Sequence, residues 1–105
     1  MIRIEIMNGD TVTQTFQYNS DPSALTIKIG SVSSANIRFA NDDQVSRLHA
    51  VIERNHDGIF LIDLGSVLGT YVNGQKINRR KLVSGDLISV GRQMLRLTIV
   101  VDLIN

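Results

Sequence analysis

The chain of 105 residues contains no cysteine. That absence excludes disulfides, a thiolate metal site and a thiol nucleophile, and it suits a reducing compartment, so the cytoplasm is the expected location. A surplus of either charge is also missing, since 11 Lys and Arg face 10 Asp and Glu for a formal net charge of +1. Binders of nucleic acid carry a basic excess, so no nucleic-acid partner is expected. Long apolar runs are lacking as well. The stretch near Leu97 to Ile104 is interrupted by Thr98 and Asp102 and is too short to cross a bilayer. The start, Met1-Ile2-Arg3-Ile4-Glu5, alternates apolar and charged residues, unlike a signal peptide. Direct membrane insertion is therefore not expected. No window carries a clean helical stripe, which removes long helices from the expected fold.

What remains is a composition of 43% apolar and 20% charged residues, that of a globular domain able to bury a core, and the length fits one domain over residues 1–105. Period-2 alternation recurs along the chain and predicts an all-β fold. Ile2, Ile4 and Ile6 share a face, and Asn8-Gly9-Asp10 turns into a strand over Thr11–Tyr18. After a break at Asn19-Ser20-Asp21-Pro22, strands are expected at Leu25–Ile29 and Ile37–Phe39. Leu48, Ala50 and Ile52 read as one face of the next strand, with His49 and Glu53 on the other. Asn55-His56-Asp57-Gly58 turns into the run Ile59-Phe60-Leu61-Ile62, expected to be central and buried on both faces. Thr70–Val72 and one returning strand over Gln75–Lys81 flank the Asn73-Gly74 hairpin turn, and Leu87–Val90 and Met94–Val101 close the chain. About ten or eleven short strands at this spacing predict a two-sheet antiparallel sandwich. The apolar Leu103-Ile104 ending suggests a piece of a larger protein.

Four segments carry more than fold. They are Ile29-Gly30-Ser31, Val45-Ser46-Arg47-Leu48-His49, the stretch from Asp63-Leu64-Gly65-Ser66-Val67-Leu68-Gly69-Thr70 to Tyr71-Val72-Asn73-Gly74, and Leu82-Val83-Ser84-Gly85-Asp86. In this order and spacing the sequence resembles the forkhead-associated (FHA) family, from about Leu25 to Val101. The resemblance implies a sandwich whose loops at one end read a partner protein or a peptide, often one carrying phosphothreonine, by phospho-motif recognition. The residues it brings forward for peptide or phosphate contact are Ser31, Ser46, Arg47, Ser66, Val67, Leu68 and Asn73. Gly30, His49, Gly65, Gly69, Thr70 and Gly74 are expected to support the site.

The residue chemistry stands beside the resemblance. The Ser46 hydroxyl can donate to a phosphate oxygen, and Arg47 offers a planar fork of donors. Gly30 is expected at a loop entry with unusual backbone angles, and Gly65 and Gly69 let the Ser66–Leu68 loop turn tightly. His49 is expected to bond that loop and to be structural. Asn73 braces a hairpin turn, and the resemblance adds support of the recognition loop. Arg79-Arg80-Lys81, the one dense basic run, reads as a solvated face. Catalysis by Ser46, His49 and Asp63 is not expected, because no Gly-x-Ser-x-Gly elbow is present to activate the serine. His49, His56 and Asp57 lack a third ligand at a familiar spacing, so neither a metal nor a cofactor is expected.

Two positions depart from the family pattern. Ser31 stands where the family usually has an arginine that grips phosphate, and Leu68 replaces the asparagine that bonds the peptide backbone. One charged and one neutral hydrogen bond are worth together roughly 2–4.5 kcal/mol, or about thirty- to a thousandfold in affinity. The expected function is accordingly a non-enzymatic protein-interaction module with little phosphothreonine dependence, in which Val67 and Leu68 present apolar side chains to a partner. A phosphothreonine reader, with Lys28, Arg38 or Arg47 replacing the missing arginine, is the alternative, and a small serine hydrolase is the reading from another class.

Overall fold

A computed structural model of the chain describes residues 1–19 and 24–100. Most of the expected break at Asn19-Ser20-Asp21-Pro22, the Val101 end of the last strand and the Leu103-Ile104 ending lie outside the described residues. Eleven strands follow in order: β1 (Ile2–Asn8), β2 (Thr11–Tyr18), β3 (Leu25–Gly30), β4 (Ile37–Arg38), β5 (Ala50–Asn55), β6 (Gly58–Asp63), β7 (Thr70–Val72), β8 (Gln75–Ile77), β9 (Arg79–Lys81), β10 (Leu87–Val90) and β11 (Gln93–Ile99). One sheet has the order β2-β1-β11-β10-β7-β8 and the other β4-β3-β5-β6-β9. No helix occurs among the described residues.

Alternation decides which side chains lie between the sheets. Ile4, Ile88, Val90, Leu95 and Leu97 of the first sheet and Ile27, Ile29, Ile52 and Leu61 of the second are all completely buried. Each such aliphatic side chain contributes about 1.5–3 kcal/mol on leaving water. The β1 isoleucines alternate with half-buried Arg3, Glu5 and Met7, as period 2 requires. Glu5 receives a two-pronged contact from Arg96 on the paired strand β11, at 2.9 and 3.0 Å.

Four local expectations need correction. The sandwich is not wholly antiparallel, because β4 lies parallel to β3. The predicted single return over Gln75–Lys81 is two strands: β8 pairs with β7 in one sheet and β9 with β6 in the other. Asn78 makes the corner, its carbonyl accepting from Asp63 N–H at 2.8 Å, and with Ile77 the single apolar residue between Gln75 and Lys81 periodicity carries no mark of the change of sheet. Leu48 does not share a buried face with Ala50, since the strand begins at Ala50 and Leu48 remains 49% exposed before it. The run Ile59-Phe60-Leu61-Ile62 buries Ile59 and Leu61 inward, while Phe60 and Ile62 are half-buried. The Arg79 guanidinium lies 4.1 Å over the Phe60 ring in a cation–π contact.

Candidate functional site

The loops after β3, before β5 and between β6 and β7 are drawn together by backbone hydrogen bonds. Ser31 N–H donates to the Ser46 carbonyl at 3.1 Å and Val32 N–H to the Arg47 carbonyl at 3.2 Å. This approach leaves no room at Gly30, where a β-carbon would stand 2.0 Å from the Arg47 carbonyl oxygen. Glycine is needed there for contact between two backbones, and the expectation of unusual backbone angles is corrected: Gly30 is absent from the residues with positive φ.

His49 ties the two walls of the site. It is completely buried, its Nδ1 accepts from Ser46 N–H at 3.0 Å, and its Nε2 donates to the Gly69 carbonyl at 2.8 Å. The backbone N–H facing Nδ1 fixes the proton on Nε2. One imidazole thus holds the start of β5, the Ser46 loop and the end of the 65–69 loop in a fixed relation.

The 65–69 loop has its own organiser, Asp63. This carboxylate accepts from Gly65 N–H at 3.0 Å, Ser66 N–H at 3.2 Å, Thr70 Oγ1 at 2.7 Å and the Ser66 hydroxyl. Partial burial pushes its pKa up, but these hydrogen bonds outweigh burial and hold the carboxyl below its ordinary value. Ser66 and completely buried Thr70 are therefore committed to the loop's interior. Asp42 plays the matching part for the other wall. Its carboxylate, 5% exposed, accepts from Gln44 N–H, Arg92 N–H, Arg92 Nη1 and Gln93 Nε2. Burial again raises its pKa, and the hydrogen bonds, with the Arg92 charge, bring the net shift below the ordinary value.

Between these walls lies an open groove of about 580 Å³ lined by Ser31, Ser46, Arg47, Leu48, Val67 and Leu68, among others. The Ser46 Oγ accepts from Val67 N–H at 3.1 Å, which closes the floor and leaves the hydroxyl proton available to a ligand. Val67 is 87% and Leu68 50% exposed. Arg38 comes to the margin, its Nε donating to the Ser31 carbonyl at 3.1 Å.

Of the seven residues expected to make contact, the groove unites Ser31, Ser46, Arg47, Val67 and Leu68. Ser66 is turned into the Asp63 network. Asn73 stands apart: its amide nitrogen donates to Asp86 at 2.9 Å and its amide oxygen accepts from Leu87 N–H at 3.0 Å. With φ of 51° at Asn73 and 81° at Gly74 it forms a turn that needs these residue types. Sequence reasoning missed Leu48, Asp43 and Gln44 in the lining, and it missed Asp42 and Asp63 as loop organisers. The signal for both carboxylates was present, because an Asp followed within three residues by polar loop positions invites capping of backbone N–H groups. Among the described residues no group of His, Cys, Asp and Glu could hold a metal ion.

Comparison with known proteins supplies the family. The FHA domain model matches residues 27–91, more than half of the chain. An oxoglutarate dehydrogenase inhibitor of Corynebacterium jeikeium is 44% identical over 54 residues, 51% of this chain and 38% of that protein. Protein FraH of a Nostoc species is 44% identical over 57 residues, 51% of this chain and 20% of that protein. The matches thus span well under half the length of these relatives. The crystal structure of the FHA domain of the CT664 protein from Chlamydia trachomatis is similar with a TM-score of 0.83 and 26% identity, covering 95% of this chain and 98% of that one. The FhaA FHA domain, crystallised in complex with the intracellular domain of Rv3910, gives 0.77 and 27% over 92% and 99%. The chain belongs to the FHA domain family and is a protein-interaction module of that fold.

Proposed function

We propose that this FHA domain engages its partner protein through apolar contact at the groove, with phosphothreonine adding little. The observation that carries this reading is the exposure of Val67 and Leu68, 87% and 50%, on a loop held rigid by Asp63 and His49. Exposed Leu48 adds a third apolar side chain to the same groove. A monomer gains nothing from these groups in water, whereas a partner that covers them gains about 25 cal/mol for each Å² of apolar surface removed. The phosphate side of the groove is correspondingly poor, with Ser31 where the family arginine would stand.

Calorimetric titration against a phosphothreonine peptide library tests the proposal. The native chain should show little preference for phosphorylated over unphosphorylated peptides. The variant carrying Ser31→Arg and Leu68→Asn should gain at least about tenfold for a suitable phosphothreonine peptide. Strong phosphate-dependent binding by the native chain would overturn the reading. The competing reading, a phosphothreonine reader, is favoured by one contact, the Arg38 Nε bond to the Ser31 carbonyl, which brings a guanidinium to the vacated arginine's neighbourhood. Under that reading Arg38→Ala abolishes a phosphate preference that the native chain already has.

The domain acts without catalysis. The Ser46 Oγ is bonded to Val67 N–H, His49 Nδ1 faces the Ser46 backbone instead of its hydroxyl, and Asp63 is occupied by Ser66 and Thr70. None of these contacts raises the nucleophilicity of the serine. Turnover of ester substrates above background, lost on Ser46→Ala, would refute this. We further read residues 1–105 as one unit working in the cytoplasm as part of a larger regulator. Support comes from the missing cysteines, from matches covering only a fraction of longer relatives such as the oxoglutarate dehydrogenase inhibitor, and from the absence, among the described residues, of any helix long and apolar enough to cross a membrane.

A further inference from the structure

A sandwich has four sheet edges, and this one treats them unequally. The edges β4, β8 and β9 have two, three and three residues, and each carries cations: Arg38, Lys76, and the run Arg79-Arg80-Lys81. Short length and positive charge are the usual protection of an edge against pairing with another chain. The fourth edge, β2, has eight residues, Thr11-Val12-Thr13-Gln14-Thr15-Phe16-Gln17-Tyr18. It contains no charge, no proline and no glycine, and it is rich in β-branched and aromatic residues, which favour strands. Its irregularity lies at the turn end, where the pairing with β1 shifts between Ile6 and Met7, and from Gln14 to Tyr18 the register is regular.

A second observation concerns the core. Phe16 and Tyr18 face Ile4 and Ile2 across β1 and pack on the core only in part. They are two of the five aromatic residues in the chain, so the apolar layer ends at β2 on two half-covered rings.

We propose that β2 is a self-association edge, pairing antiparallel with β2 of a second copy to join the two six-stranded sheets into one. A twofold axis perpendicular to the sheet and centred on Thr15 sets Thr15 against Thr15 and Gln14 against Phe16, and it keeps both core faces on the same side. The absence of charge selects this occupant: self-pairing of the β9 edge would oppose like charges, whereas β2 pairs with itself without repulsion. The partner rings extend the aromatic margin, and the edge's outward backbone groups, which pair with no other strand among the described residues, gain hydrogen bonds.

Sedimentation equilibrium of the chain, from about micromolar to about millimolar, reads the association directly. The test substitution is Thr15→Lys, since Thr15 is exposed and sits across β1 from Glu5. A lysine there gains an attractive neighbour within one chain, so the fold is retained, but at the twofold it faces its own copy. The expected result is a concentration-dependent dimer whose dissociation constant rises at least about tenfold in Thr15→Lys and is unchanged when Val67 and Leu68 are made Asp. Hydrogen exchange supplies a reading independent of any variant: amides of Thr11–Tyr18 should gain protection as the native chain is concentrated. A monomer at every concentration, a dimer indifferent to Thr15→Lys, or β2 exchange independent of concentration would each overturn the proposal. None of these outcomes bears on the groove, whose titration is separate.

Discussion

Two residues show how much of the site depends on single atoms. His49→Ala removes an acceptor for Ser46 N–H and a donor for the Gly69 carbonyl, both from a completely buried position. Leaving such groups unpaired costs about 1–3 kcal/mol, to be read as a lower melting temperature; no change in it would contradict the tie between the loops. Gly30→Ala forces a β-carbon onto the Arg47 carbonyl and should cost at least about 2 kcal/mol in chemical denaturation. The carboxylates Asp42 and Asp63 set the response to acid. Each has a folded pKa below its unfolded value, so their stabilising effect is complete above the ordinary Asp value of about 3.9 and is lost as pH falls through the lower folded value. Asp63→Asn should lower stability near neutral pH by about 1–3 kcal/mol and flatten the acid limb of the stability curve. An acid limb as steep as in the native chain would show that Asp63 is not the titrating group. These roles were unevenly legible in the sequence. His49 could be read because it alternates with Leu48 and Ala50 beside a serine loop. Gly30 was visible as special for the wrong reason, since a close approach of two backbones leaves no mark on either segment alone. Asp42 carried in the sequence only the mark of its local Gln44 N–H contact, because its other partners, Arg92 and Gln93, are about fifty residues away in the chain.

At the level of elements, strands were legible and their assignment to sheets was not. Turn residues and period 2 located β1, β2, β3, β5, β6, β7, β10 and β11 to within a residue or two. The division at Asn78 was hidden because Gln75–Lys81 holds a single apolar residue, Ile77, and so has no alternation to break, and the parallel pairing of β3 with β4 was hidden because pairing direction depends on the route of the connecting loop. The same limit explains Leu48, which continues the alternation of β5 in sequence but precedes the strand in space and so opens onto the groove. The 65–69 loop is the element on which the proposed function turns. Val67→Asp together with Leu68→Asp places two charges where an apolar partner surface would cover them, and burial of unpaired charge is strongly opposed. Such a variant should keep its melting temperature within about 1 kcal/mol equivalent, because exposed loop changes are mild, while its affinity for the natural partner falls at least about tenfold. Retained pull-down of that partner by the double Asp variant would place the contact elsewhere on the domain.

The molecule as a whole is more extensive than its family signature. The family match runs over residues 27–91, yet Ile2, Ile4 and Ile6 before it and Leu95 and Leu97 after it are core residues, each no more than 7% exposed. An excised 27–91 segment loses β1, β2 and β11, three adjacent strands of the first sheet, and should lack strand signal in circular dichroism and dispersed amide resonances. A folded 27–91 segment would show that β1 and β11 are accessory. Joining chain ends through β1 and β11 also makes the fold rich in distant contacts, so refolding is expected on a scale of milliseconds to seconds. The single imidazole that clasps both groove walls has a last consequence, for the speed of recognition. Because the walls cannot rearrange independently, encounter with a partner meets a surface already in its final shape. Association should then be a single step whose observed rate climbs linearly with partner concentration and shows no plateau, and differences in affinity among groove variants should reside in how long the complex lasts.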